Sequence, residues 1–358
     1  MKKNFWKNKK VLITGHTGFK GSWLTLILKS MGAKVIGIAL NPISRPNFFD
    51  DTKLGFFLDK DYRRNIKNLT FLNKIIKKNR PEIIFHLAAQ SSVLMSYRNP
   101  IDTVESNVIG TANVLESIRH NNCVKVGIIV TTDKVYLNLE KNKRFKESEQ
   151  LGGHDVYSGS KAASEIIFQS YKESFINNTK CEIATVRSGN CIGGGDWTKD
   201  RIMKDCAEKL IKNKPLIIRR PKATRPWQHV IEPLFGYLIL AEKMYINKKF
   251  SGSWNFGPNK KNNMQVIDLV KFCKHNLKSK SKVKIKKNKF YESTSLSLNS
   301  SKSLKFLKWK TILTAKEAIQ FALAWYQLYF STKSSKKIIK FSLSQIYEYQ
   351  KLLKSRKV

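Results

Sequence analysis

Short, continuous apolar runs alternate with amphipathic stretches through the first half of the chain, and this alternation restricts the fold more than any other feature. VLIT (11–14), KVIGIAL (34–40), PEIIFHLAA (81–89), KVGIIVTT (125–132) and CEIATVRSGN (181–190) read as strands. Between them, GHTGFKGSWLTLILKSMG reads as a loop and a helix closed by Gly32. LTFLNKIIKKN, IDTVESNVIGTANVLESIRH and SGSKAASEIIFQSYKESF read as further helices. Strands that are apolar along their whole length need cover on both faces, and intervening helices supply it. The pattern therefore predicts an α/β fold, a doubly wound parallel sheet of the Rossmann type with right-handed crossovers. A ligand of such a sheet lies at the carboxyl ends of the strands.

After about residue 190 the elements become shorter and mixed with turns: GGGDW (193–197), PLIIRRP, RPWQHVIEPLFGYLILAEKMY and GSWNFGP. TAKEAIQFALAWYQLY and FSLSQIYEYQKLL read as late amphipathic helices, with the polar link STKSSKK (331–337) before the last. The reading is a dinucleotide-binding domain over 1–190, interleaved with a smaller mixed α/β substrate-binding domain over 191–358. The formal net charge is +41, from 67 Lys and Arg against 26 Asp and Glu. That balance raises the question of a nucleic-acid or membrane-surface partner. The lysines are scattered from end to end, with no basic-aromatic signature and no zinc-finger spacing, so neither partner is expected. What survives is a general attraction for anions such as nucleotide phosphates. Cys123, Cys181, Cys191, Cys206 and Cys273 form no C-x-x-C pair and read as reduced thiols of a cytoplasmic protein. The basic N-terminus leads into an apolar run too short for a signal peptide, and no stretch approaches the roughly 18 apolar residues of a membrane span.

Two constellations carry chemistry. Gly15-His16-Thr17-Gly18-Phe19-Lys20-Gly21 lies between the first strand and first helix. Glycines there permit a tight turn and let backbone N–H groups reach a pyrophosphate at the helix N-terminus. A Gly-rich turn that binds nothing is common; its position is what argues for a dinucleotide. The strand-two end, ALNPISRPN, offers Asn41 and Arg45 but no acid, which leaves NAD and NADP both open. The second constellation is Tyr157-Ser158-Gly159-Ser160-Lys161. Tyr and Lys one helical turn apart share a face. An ammonium beside a phenol, with a nicotinamide cation close by, favours the phenolate, which can take a proton from a sugar hydroxyl. Such a spacing also arises by chance; its place about 25 residues after TTDKVY (131–136) strengthens it. Asn107 fits a supporting position in the helix packed beneath.

The Gly-rich turn, HLAAQ, SNVIGT, TTDKVY and YSGSK together resemble the extended short-chain dehydrogenase/reductase superfamily. GHTGFKGSWL, RSGNCIGGGDW, RPWQHVIEPLFGYL, WNFGPN and SLSQIYEY narrow the resemblance to the CDP-glucose 4,6-dehydratases, over nearly the whole chain. The resemblance implies a hydro-lyase that oxidises C4 of the glucose of CDP-glucose with NAD. Water then leaves across C5 and C6 and the hydride returns to C6, giving a 4-keto-6-deoxy sugar for surface polysaccharide. It implies Tyr157 as base at O4, supported by Lys161, with Thr132 hydrogen-bonded to O4. Asp133 would be the acid at O6 and Lys134 the base at C5, where the related dTDP-glucose dehydratases carry glutamate. A lysine does this only as the neutral amine, which burial or nearby positive charge favours; its other reading is a charge partner that orients Asp133. Cofactor contacts carry over to Gly15, Thr17, Gly18, Phe19, Gly21, Asn41, Asn65, Ile66, Leu87, Ala88, Ala89, Asn107, Thr131, Tyr157 and Lys161. Substrate contacts carry over to Gln90, Ser91, Asn190, Asp196, Trp197, Arg201 and Arg225. No metal is implied. His86 and His229 read as structural. A homodimer through the two long helices, 101–120 and 158–175, is expected.

Three departures stand against the resemblance. Asn65, in RNIKN, replaces an Asp that meets adenine. Leu94 stands where relatives have Arg near the substrate, and LSLNSSK has lost charged positions. These keep open an enzyme for another nucleotide sugar, or a retuned cofactor-binding protein without activity. Against the last, Thr132, Asp133, Lys134, Tyr157 and Lys161 are all present.

Overall fold

In the computed structural model, residues 2, 4–139, 143–177, 179–259, 262–286, 296–332 and 334–356 are described. Seven strands form a parallel sheet: β1 Lys10–Thr14, β2 Lys34–Ala39, β3 Lys60–Arg63, β4 Ile83–His86, β5 Val126–Val130, β6 Glu182–Arg187 and β7 Gly252–Asn255. Their order is β7-β6-β5-β4-β1-β2-β3, so the chain winds outward in both directions from β1 and β4. The doubly wound parallel sheet is as the alternation predicts.

Alternating side chains split the sheet's cover into two layers, because successive Cβ atoms point to opposite faces. Val11, Ile13, Val35, Ile83, Phe85, Val126 and Ile128 join one cluster; Leu12, Ile36, Ile38, Ile84 and Ile129 join the other. The first cluster runs from Trp6 to Tyr349 and takes in Trp325 and Tyr326 of helix Ala315–Ser331 and Ile346 of helix Ser335–Ser355. Both halves of the chain thus share one core, and the second half also contributes β7 to the main sheet.

Two strands escaped the apolar pattern. β3, KDYR, is an edge strand with no fully buried residue, so it carries no apolar run. β7, GSWN, is short and pairs only with β6. The expected helix 101–120 is Pro100–Val104 and Gly110–Arg119 joined by one π-helical turn, Glu105–Ile109. Among the described residues, no helix is long and apolar enough to cross a membrane, all five cysteines are free thiols, and no cluster of three or more His, Cys, Asp or Glu could hold a metal. In the link 331–337, Lys333 lies outside the described residues.

Candidate active site

At the carboxyl edge of the sheet, β1 passes into helix Phe19–Ser30 through the glycine turn. Gly15 has φ +78°, and a Cβ there would lie 2.6 Å from the backbone nitrogen of Ala88. A Cβ on Gly21 would lie 2.1 Å from the Gly15 carbonyl oxygen. Neither position accepts a side chain without moving backbone. Gly18 caps the helix with no side-chain bond to its first N–H groups, so these donors face the turn. The arrangement fits a dinucleotide diphosphate, which needs close backbone approach and a helix N-terminus.

Around the turn, the Thr17 hydroxyl donates to the Leu40 carbonyl at 2.9 Å, and Asn41 is exposed beside it. His16 packs against Gly37 and meets Asp61 of β3 at 3.0 Å. Asn65 accepts from the Lys67 N–H at 3.0 Å, Ile66 is buried, and Asn113 holds the Ile66 carbonyl at 3.1 Å. Leu87, Ala88 and Ala89 follow β4, half-buried. His86 bridges Thr14 at 2.7 Å and Thr111 at 3.1 Å. Burial, with help from the Lys161 charge, lowers its pKa to about 3, so the ring is neutral and structural.

Asn107 lies within the π-helical turn and is fully buried. Its amide accepts from the Gln90 N–H at 2.8 Å and donates to the Ser160 hydroxyl at 2.8 Å. Its backbone carbonyl also accepts from the hydroxyls of Thr111 at 2.6 Å and Ser164 at 2.8 Å. A π-turn commonly marks a functional site; here it clamps the loop after β4 to the helix that carries Tyr157. The Gln90 amide is itself held by Thr103 at 2.9 Å, while Ser91 is exposed.

β5 ends in the turn that carries Thr132, Asp133 and Lys134. Thr132 donates to the Asp133 carboxylate at 3.0 Å, and its hydroxyl lies near enough to the Tyr157 phenol to favour the phenolate. Asp133 is 5% exposed. Burial pushes its carboxyl above the ordinary range, while Lys134, Thr132 and Lys20 pull it down. An acid placed this way keeps its proton to higher pH than an exposed carboxyl. Tyr157 is raised by burial, against the Thr132 bond and the positive charges of Arg201 and Lys20. Lys161 donates to the Val130 carbonyl at 3.3 Å, and burial with the Lys20 charge lowers it to about 8. The Thr131 hydroxyl points away from this group and donates to Glu165 at 2.5 Å.

The other candidate substrate residues are spread more widely. Asn190 is half-buried two residues past Ser188. Arg225 is buried in strand Thr224–Pro226, and its charge is felt at Asp133. Arg201 is largely exposed, lies 3.8 Å from Asp196 and is felt at Tyr157. Trp197 belongs to the core: its ring packs on Tyr326, Tyr329 and Phe330 at 5.3, 4.7 and 6.0 Å. The glycine loop before it lies tight against the same helix, since a Cβ on Gly194 would strike Trp325 at 2.0 Å.

Lys20 went unassigned in the sequence. Its ammonium donates to the Ser188 hydroxyl at 2.7 Å. Burial opposes its charge, but Cys191, Tyr237, Tyr157 and Asp133 outweigh burial and raise its pKa. A lysine between the aromatic and the last glycine of the turn was the available signal.

Residues 12–321 match the family model described as GDP-mannose 4,6 dehydratase. The CDP-glucose 4,6-dehydratase of Salmonella typhimurium is 44% identical over 262 residues, 72% of this chain and 73% of that protein. A dTDP-D-glucose 4,6-dehydratase of Dictyostelium discoideum is 30% identical over 266 residues, 69% of this chain and 59% of that protein. Among solved structures, the dTDP-glucose 4,6-dehydratase of Bacillus anthracis, crystallised with NAD, has a TM-score of 0.76 at 22% identity over 89% of this chain and 97% of that one; at that identity it speaks for the fold. The extent of the family match, together with the Salmonella relative, establishes that the chain belongs to the GDP-mannose 4,6 dehydratase family.

Proposed function

We propose that the protein is a CDP-glucose 4,6-dehydratase, a hydro-lyase that uses NAD and returns it unchanged. The observation that carries the reading is the meeting of three proton-handling groups, Tyr157, Asp133 and the Lys134 position, around Thr132. The likeness to the Salmonella enzyme supports the choice of nucleotide and sugar. The glycine turn and helix Phe19–Ser30 would hold the NAD diphosphate, with Lys161 and the loop Leu87–Ala89 toward its other end. When bound, NAD supplies reversible hydride acceptance. The chain's own residues manage the protons. Tyr157 takes the O4 proton, Lys134 takes the C5 proton made acidic by the 4-keto group, and buried Asp133 gives a proton to the leaving O6.

The test is a panel of CDP-, dTDP-, UDP- and GDP-glucose, each with NAD and the full chain, scored for 4-keto-6-deoxy product. CDP-glucose should lead in kcat/KM by roughly 10²-fold or more. Preference for another base points to the second reading, a dehydratase or epimerase of a different nucleotide sugar. No product from any of the four ends the enzymatic reading.

We further propose a homodimer. Ile101, Ile109, Ile166 and Phe175 are 71, 49, 56 and 46% exposed on the segments Pro100–Val104, Glu105–Ile109, Val156–Tyr171 and Lys172–Ile176, which pack side by side. Exposed apolar side chains of this size suit a protein partner. Sedimentation velocity should give a dimer mass for the wild type and a monomer for Ile101→Asp/Ile166→Asp; a monomeric wild type contradicts the proposal.

A further inference from the structure

Behind the helix that carries Tyr157 and Lys161 lies a buried charge pair that the proton chemistry above does not use. Glu165 stands one helical turn after Lys161, on the same face. Its carboxylate accepts from Arg187 of β6 at 2.9 Å and 2.7 Å. It also accepts from the hydroxyls of Thr131 at 2.5 Å, Thr185 at 2.7 Å and Ser253 at 3.3 Å. One carboxylate thus gathers the end of β5, β6, β7 and the helix. Arg187 reaches the other way, donating to the Tyr136 hydroxyl at 2.6 Å and the Glu147 carbonyl at 3.2 Å. The Arg187 and Glu165 side chains are 3% and 1% exposed.

An ion pair taken out of water is a weak source of stability, and a well-packed apolar cluster would join these elements as well. What an apolar cluster cannot supply is a fixed charge next to Lys161 and a guanidinium bound to the far end of the Thr131–Tyr136 turn. We propose that Glu165 and Arg187 are a positioning pair for the active site: Glu165 is the counter-charge to the buried Lys161 ammonium, and Arg187 pins the turn bearing Thr132, Asp133 and Lys134 against the Tyr157 helix. The proposal rests on the assignment of Tyr157 and Lys161 to the reaction.

The charges around Lys161 define the expected signs. Lys20 faces it from helix Phe19–Ser30 and lowers it, neutral His86 flanks it from β4, and Glu165 raises it. Arg187 faces Glu165, and Lys302 and Glu147 lie on the far side of Arg187. Glu165→Gln leaves the Arg187 charge unbalanced. Positive charge near the site eases loss of a proton from both the phenol and the ammonium, so both limbs of the kcat–pH profile move to lower pH. Arg187→Met leaves Glu165 unbalanced and moves both limbs to higher pH.

The experiment measures kcat and KM against pH for the full chain with NAD and CDP-glucose, in wild type, Glu165→Gln, Arg187→Met, the double variant and Glu165→Asp. Opposite shifts of about one pH unit are expected from the two single variants, with the double variant back near the wild-type position. Glu165→Asp keeps the charge but shortens its reach, so its kcat falls while its limbs stay; KM stays within about twofold throughout. Hydrogen–deuterium exchange should rise over residues 131–136 in Arg187→Met. If Arg187→Met does not fold, Glu165→Gln and the double variant decide the charge claim. Limbs that do not move, or move the same way in both single variants, overturn it. Unchanged exchange over 131–136 in Arg187→Met, or in the double variant if Arg187→Met does not fold, overturns the pin. A wild type without activity on any nucleotide sugar refutes the proposed function instead, and exchange then still judges the pin.

Discussion

Replacing Tyr157 by phenylalanine should lower kcat by about 10²- to 10⁴-fold, the range for losing a positioned general base, with KM for CDP-glucose nearly unchanged. Tyr157 is 8% exposed, so its ring stays packed when the hydroxyl is removed. Thr132, beside the phenol, keeps its bond to Asp133 at 3.0 Å. The fold should therefore survive, and thermal unfolding within a few degrees of wild type provides the control. The wild-type pH profile carries the same assignment. The phenol acts after losing its proton, so activity rises with pH through the phenol's ionisation. Lys161 acts as the ammonium, so activity falls once pH is high enough to remove its proton. In Tyr157→Phe the part of the rising limb that belongs to the phenol should be lost, and what remains would belong to the neutral amine of Lys134. A variant within tenfold of wild type would remove Tyr157 from the reaction.

Asp133→Asn should stop a different step. The amide preserves the size and the hydrogen bond from Thr132 but has no proton to give to O6. Product formation should fall by about 10²- to 10⁴-fold, while the proton steps at O4 and C5 continue. In deuterated water, recovered CDP-glucose should then gain deuterium at C5 as the reversible early steps turn over. Tyr157→Phe should show no such exchange, because the C5 proton becomes acidic only after C4 is oxidised. Lys134→Ala should likewise lose exchange at C5 if Lys134 is the base there. Free exchange in Lys134→Ala would leave Lys134 as a partner that orients Asp133, and full product formation by Asp133→Asn would assign the proton at O6 to another group.

The central strands were readable because a sheet covered on both faces must be apolar along each strand, and VLIT, KVIGIA and VGIIV are. The reacting turn was readable for the opposite reason: Thr132, Asp133 and Lys134 break an apolar run where the sheet ends. β3 and β7 were obscure because an edge strand is covered less fully and needs no such run. The aromatic cluster around Trp197 was hidden as well: only the fold brings Tyr326, Tyr329 and Phe330 around it. Arg187 is similar: its partner Glu165 is 22 residues away and joins it only when β6 packs against the helix. Such pairs are set by tertiary packing, and local spacing carries no trace of them. The π-turn around Asn107 is hidden for the same reason, since SNVI continues the helical pattern while its carbonyl turns to Ser164.

The most direct measurement follows a single deuterium. CDP-glucose labelled at C4 is mixed with unlabelled CDP-glucose, NAD and the full chain in ordinary water, and the 4-keto-6-deoxy product is analysed by mass spectrometry and NMR. The label should appear at C6 of the same molecule that carried it at C4, with no crossover to unlabelled substrate and C5 protonated from water. Label lost to solvent, found at a carbon other than C6 or exchanged between molecules would contradict it.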